Sequence, residues 1–194
     1  ENKGGVLNGF TDENITGFFC KMPSESWKVG LDILTDMVKN PLFDEKELEK
    51  ERQVIFEEIK MRKDMPHIYV LDSIKKCLYD GTLAKDLIGD FDTMNFLNRE
   101  QLVERFEKTF VPENMIFCVV GNADFDEIVN FVEENFKDNK SNIEDYDFNL
   151  KNDSIEESRK GLDQGHLVFA YHVPLTQDEK SYAAYLLSAI MAEG

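Results

Sequence analysis

Glu47-Leu48-Glu49-Lys50-Glu51-Arg52-Gln53-Val54-Ile55-Phe56-Glu57-Glu58-Ile59-Lys60 reads as one helix. Glu51 and Glu58 stand seven residues apart in it. Seven residues make nearly two full turns, so both side chains leave on one face. Leu48 and Ile55 belong to the same face, so the two acids interrupt an apolar stripe. Carboxylates so placed must be solvated in a cleft, paired, or bound to a metal. A helix this rich in acids also yields such a pair by chance, and pattern alone leaves both readings open.

Outward from this helix the chain alternates α and β elements. Asp44 with Glu47 forms a capping pair at its start. Before it, Asn40-Pro41 closes a helix whose stripe is Trp27, Leu31, Leu34 and Val38, with Ser24 as the expected cap. Residues 6–11 and 15–22 predict two strands joined by the turn Asp12-Glu13-Asn14. After the acidic helix, another is expected over 68–79, packing Leu71, Ile74 and Leu78. Residues 80–97 contain Gly and Asp and yield no firm element. Asn98 with Gln101 caps a helix that buries Leu102, Val103, Phe106 and Phe110. Residues 115–121 predict a continuous apolar strand with Cys118 in the core. Asp124 with Glu127 starts a helix bearing Phe125, Ile128, Val129, Val132 and Phe136. Residues 138–164 read as a polar linker with one short strand at 146–150. A strand over 166–173 follows, then a helix capped by Thr176 with Glu179 and running to Met191.

Composition bounds the function. The chain has 194 residues, 42% hydrophobic, enough for one substantial domain and part of another. Its apolar runs are shorter than a membrane span, and its opening residues do not form a signal-peptide pattern. A net charge of −17 disfavours nucleic acid and anionic membranes as partners. It suits a solvated acidic surface, with attraction of basic peptides as the sharper alternative. Cys20, Cys77 and Cys118 are odd in number and widely spaced, so free thiols in a reducing, cytoplasmic setting are expected. His67, His166 and His172 read first as structural or surface residues, and Trp27 and the fifteen phenylalanines as core.

Three segments together carry a resemblance. Gly4-Gly5-Val6-Leu7-Asn8-Gly9-Phe10-Thr11, Asn40-Pro41-Leu42-Phe43 leading to Glu51-Arg52-Gln53-Val54-Ile55-Phe56-Glu57-Glu58, and Pro112-Glu113-Asn114-Met115 leading to Val119-Val120-Gly121-Asn122 resemble motifs of the insulinase/pitrilysin family of zinc peptidases. Their order and spacing agree over nearly the whole chain. The family's H-x-x-E-H segment does not occur here, and family spacing places it roughly twenty residues before Glu1. The chain is therefore expected to be an internal piece.

The resemblance implies an α+β sandwich: a mixed, largely antiparallel sheet with helices packed on one side. It implies that residues 1–137 are the remainder of a first peptidase domain and 165–194 the start of a second, related one. It carries the third zinc ligand onto Glu58 and an accessory, histidine-orienting carboxylate onto Glu51. Glu57 is the rival ligand, but its direction differs by about a hundred degrees. Residues 5–11 become the edge to which a peptide or unfolded polypeptide adds as a strand, with Asn8 and Gly9 at the substrate. A hairpin turn is the plain alternative for Asn8 and Gly9. Where the family usually has a Pro-Leu-Gly-type stretch, this chain has Gly81-Thr82-Leu83-Ala84-Lys85-Asp86-Leu87-Ile88-Gly89. The resemblance thus predicts a zinc metalloendopeptidase whose present piece is inactive alone, open to a homo- or hetero-oligomer with a related subunit. Two alternatives are a non-catalytic partner or scaffold subunit of the family, and a metal-free peptide-binding module.

Overall fold

The computed structural model describes residues 2–137 and 147–193. In chain order they form β1 (Val6–Thr11), β2 (Thr16–Lys21), α1 (Trp27–Lys39), α2 (Glu45–Asp64), α3 (Pro66–Leu78) and β3 (Tyr79–Gly81). Then follow α4 (Phe91–Phe96), α5 (Arg99–Thr109), α6 (Phe125–Asn135), β4 (Phe148–Leu150) and α7 (Ser181–Glu193). The class is α+β, with two separate two-stranded antiparallel sheets among the described residues. The chain divides into two compact units, Glu1–Lys60 with Asp86–Tyr146 and Met61–Lys85 with Asp147–Gly194.

In the first unit β1 and β2 pair from Val6↔Lys21 to Thr11↔Thr16. Asp12 N–H donates to the Ile15 carbonyl at 2.8 Å and closes the turn. α1 turns the expected stripe inward, with Leu31 buried and Trp27, Leu34 and Val38 half-buried. Ser24 does not cap it: Ser24–Ser26 form a 3-10 turn, and α1 starts at Trp27 without a side-chain cap bond. The caps expected downstream are present. Asn98 Oδ1 accepts from Gln101 N–H at 2.9 Å, and Asp124 Oδ1 from Glu127 N–H at 2.9 Å. Phe106 meets Phe43 edge-on at 5.4 Å and stacks on Phe110 at 4.6 Å, an aromatic cluster joining α5 to the segment before α2.

In the second unit β3 pairs β4 antiparallel, and the chain after β4 continues along the end of α3. Lys151 N–H donates to the Leu78 carbonyl at 2.7 Å and Asp153 N–H to that of Cys77 at 3.0 Å. Gly81 has φ +78°, and a Cβ there would lie 2.5 Å from the Asp147 carbonyl oxygen, so this crossing needs glycine. β4 falls within the short strand expected over 146–150, though residue 146 and the linker span 138–146 lie outside the described residues.

Several expectations fail here. Residues 115–120 form no strand and pair with no described strand, leaving Ile116 95% and Val120 94% exposed and Cys118 exposed rather than in a core. Residues 166–173 form no strand for the same reason. A strand's backbone groups are satisfied only by another segment, so apolar sequence alone does not make one. α7 begins at Ser181, after the turns that hold Thr176 and Glu179. Leu71 on α3 and Phe10, Phe96, Phe125 and Phe169 are more than half exposed, so they do not join a core.

Candidate functional site: an acidic helix face and a strand edge

α2 is started by Asp44, whose Oδ1 accepts from Lys46 N–H at 2.9 Å and Glu47 N–H at 3.1 Å. Its inner side is Ile59, buried, with Leu48, Arg52, Ile55 and Phe56 half-buried. Glu51 and Glu58 are exposed. They flank the apolar stripe instead of interrupting it, so hydration in place of burial accounts for their charge.

Neighbouring acids on α2 are neutralised locally. Glu47 pairs with Lys50 at 2.6 Å, Glu49 with Arg52 at 2.9 Å and Glu57 with Lys60 at 2.6 Å. Hydrogen bonds from Arg52, then Gln53, hold the Glu49 carboxyl below the usual glutamate range. Glu51 and Glu58 have no ion pair or hydrogen bond among the described residues; of the other α2 acids only Glu45 and Asp64, at the helix ends, share this condition. The rival Glu57 is thus tied to a lysine, while Glu58 is open to a further ligand.

Asn8 and Gly9 lie within β1, opposite Phe19 and Phe18, and the turn comes later at Asp12. Asn8 Oδ1 accepts from Gly9 N–H at 2.8 Å. A Cβ on residue 9 would sit 3.2 Å from Phe18 Cδ1 and 3.3 Å from the Gly17 carbonyl oxygen, so glycine lets the two strands close tightly there. Among the described residues β2 is the only strand paired with β1, which leaves its other edge available for main-chain pairing.

The histidines are engaged elsewhere. His67, in the first turn of α3, has its ring 6.4 Å from that of His166. His172 Nε2 lies 2.8 Å from the Lys151 carbonyl oxygen, its ring edge-on to Tyr79 at 5.4 Å. Among the described residues no three His, Cys, Asp or Glu side chains gather closely enough to hold a metal ion. A four-coordinate zinc therefore does not fit these residues alone; they offer it one open carboxylate with a second on the same face.

Two arginine clusters were not legible in the sequence. Arg52 donates through Nη1 to the Met94 carbonyl and through Nη2 to that of Leu97 at 2.7 Å. Arg159 stacks 4.0 Å from the centre of the Tyr69 ring and donates to Glu157 and to the Lys63 carbonyl, each at 2.5 Å. Arg159 and then Tyr69 lower the Glu157 carboxyl below its usual range.

In fold, the chain resembles solved peptidases. An M16-like peptidase from Alicyclobacillus acidocaldarius superposes with a TM-score of 0.62 at 26% identity, over 71% of this chain and 34% of that one. The periplasmic protease PqqL of Escherichia coli gives 0.61 at 23% identity, over 72% and 16%, a likeness of fold alone. The sequence is then specific. The insulinase (peptidase family M16) model matches residues 1–90, and the peptidase M16 inactive domain model matches 97–194. The chain belongs to the insulinase (M16) family. It is 28% identical to the uncharacterized zinc protease YmxG of Bacillus subtilis (strain 168), over 97% of this chain and 46% of that protein. It is 32% identical to an uncharacterized zinc protease of Mycobacterium leprae (strain TN), over 69% of this chain and 30% of that protein. The chain spans less than half the length of these relatives.

Proposed function

We propose that residues 1–194 form part of a zinc-dependent metalloendopeptidase. The observation that carries this reading is the pair Glu51 and Glu58, exposed and unpaired among the described residues on one face of α2. The pair lies within residues 1–90, which match the insulinase model, and relatives over this region are named zinc proteases. Glu58 is the third zinc ligand and Glu51 an accessory carboxylate that orients a ligating histidine. The two histidine ligands are assigned to chain outside these residues, so this piece is inactive by itself. When bound, zinc polarises a carbonyl and lowers the pKa of a water.

The chain's own residues bind and present. The free edge of β1 takes a peptide as an added strand, held by main-chain bonds and so indifferent to most side chains. In this reading the Asn8 amide, which here accepts from Gly9 N–H, turns to the peptide backbone instead. Gly9 keeps β1 close on β2 and so fixes the height of the edge. The same reading divides the chain into a first peptidase domain to residue 137, a linker over 138–164 and the start of a related domain.

One observation favours a second reading. Residues 97–194 match the inactive-domain model, as a non-catalytic partner subunit also would. Zinc content and peptide hydrolysis of the intact protein separate the two. A peptidase holds about one zinc per chain, loses zinc and at least about a thousandfold in kcat in Glu58→Gln, and keeps both in Glu57→Gln. A protein without zinc, in which Glu58→Gln changes nothing, is the partner subunit.

A further inference from the structure

Arg52 is the residue on α2 whose charge is turned inward. Its side chain is 12% exposed, whereas its partner Glu49 is 61% exposed. Every face of its guanidinium fork is used. Nε donates to Glu49 Oε2 at 2.9 Å, Nη1 to the Met94 carbonyl and Nη2 to the Leu97 carbonyl at 2.7 Å.

The two carbonyls belong to the end of α4. That helix has six residues, and its start is closed by a capping box of Asp90 with Thr93. A helix end leaves its last carbonyls without intrahelical donors. Arg52 supplies donors to two acceptors at this end from the neighbouring helix. One turn further along α2, Phe56 stacks on Phe91 at 5.2 Å with planes 21° apart. α2 and α4 are therefore joined at both ends of α4, by a fork and by a ring pair. Two such contacts fix not only the distance of α2 from α4 but also its rotation about its own axis.

That rotation decides where the acids point. Glu51 is the next residue to Arg52, about 100° round the helix, and Glu58 lies about 120° round on the same side. We propose that Arg52 is a positioning residue: by clamping α2 to the α4 carbonyls it holds Glu51 and Glu58 in one direction and makes residues 90–97 move with them. This rests on the function proposed above. A lysine cannot replace it, since one ammonium on a flexible stem cannot span two carbonyls and a carboxylate in a fixed plane.

The test uses the intact protein with Arg52→Ala, Arg52→Lys and Glu58→Gln. Zinc affinity is measured by competition with a chromophoric chelator, kcat and KM on an unfolded peptide, and Tm by heating. Both Arg52 variants are expected to lower kcat and weaken zinc binding about tenfold to a hundredfold, the range seen when a ligand's orienting partner is lost, with KM within about twofold. If they lower Tm alone, with kcat and zinc affinity intact well below Tm, Arg52 is structural and the proposal is overturned. Full retention of kcat and zinc in Arg52→Lys overturns it as well, because charge would then suffice. Should Arg52→Ala not fold, Arg52→Lys carries the test. Glu58→Gln keeping zinc brings down the site itself, a failure distinct from either Arg52 outcome.

Discussion

Residues 45–64 and residues 115–120 are both strongly patterned, yet only the first reaches a regular element here. The helix needs nothing from afar to satisfy its backbone. Its N–H and carbonyl groups meet within the segment, and Asp44 serves its open start. Residues 115–120 are apolar throughout, but their backbone groups require a neighbouring strand, and no described segment supplies one. Apolar pattern therefore marks which residues are to be covered, while only a partner makes the cover.

Paired substitutions give this contrast its sharpest form. Ile59 on α2 is 3% exposed and Ile116 is 95% exposed. Ile59→Ala is expected to lower unfolding stability by about 2–4 kcal/mol, the transfer and cavity terms together. Ile116→Ala should stay within about 0.5 kcal/mol, as at an ordinary surface site. Denaturant unfolding of the 194-residue chain measures both. An equal loss at Ile116 would break the comparison by placing that residue against a partner in solution.

Helix starts give a smaller test. Asn98 accepts from Gln101 N–H at 2.9 Å, while Ser26, in the same position before α1, makes no side-chain cap bond. Asn98→Ala should destabilise by about 1 kcal/mol, whereas Ser26→Ala should change stability by less than about 0.5 kcal/mol. Equal losses would mean that the capping bond contributes nothing beyond residue type.

What the sequence reveals follows the same division. The capped helices α2, α5 and α6 are readable because Asp44, Asn98 and Asp124 act on residues two or three positions away. The hairpin of β1 and β2 is readable because its turn is local. β3 and α4 are not, and β4 is readable only as a short strand without its partner. The β3–β4 pair joins Tyr79 to Leu150 across a long separation, and α4 is too short to show a helical period. The acids of the site are legible as a seven-residue spacing, but their freedom is not. That Glu57 is tied to Lys60 while Glu58 has no described partner depends on side-chain geometry. Arg52 is hidden for a further reason. Between two glutamine- and glutamate-rich turns it reads as one more helix-surface charge, and its acceptors are backbone carbonyls, which leave no mark in a sequence.

The smallest effect belongs to the exposed pair that shares this arginine. The Glu49 carboxyl is held below its usual range, chiefly by the hydrogen bond from Arg52 and then by that from Gln53. A carboxyl whose pKa is lower in the folded chain binds its proton more readily once unfolded. Its contribution is therefore complete above the unfolded value of about 4.3 and is lost as pH falls through the folded value. Glu49→Gln should be slightly less stable than the natural chain at about pH 6, and the difference should shrink as pH falls below the unfolded value. Other carboxylates titrate in the same window, so only the difference between the two proteins, from urea midpoints at each pH, reports on Glu49. A difference that stays constant with pH would show that Glu49 does not hold Arg52 through its charge. The fork on the α4 carbonyls would then stand without a counterion, and α2 would owe its register to backbone acceptors and the Phe56–Phe91 stack alone.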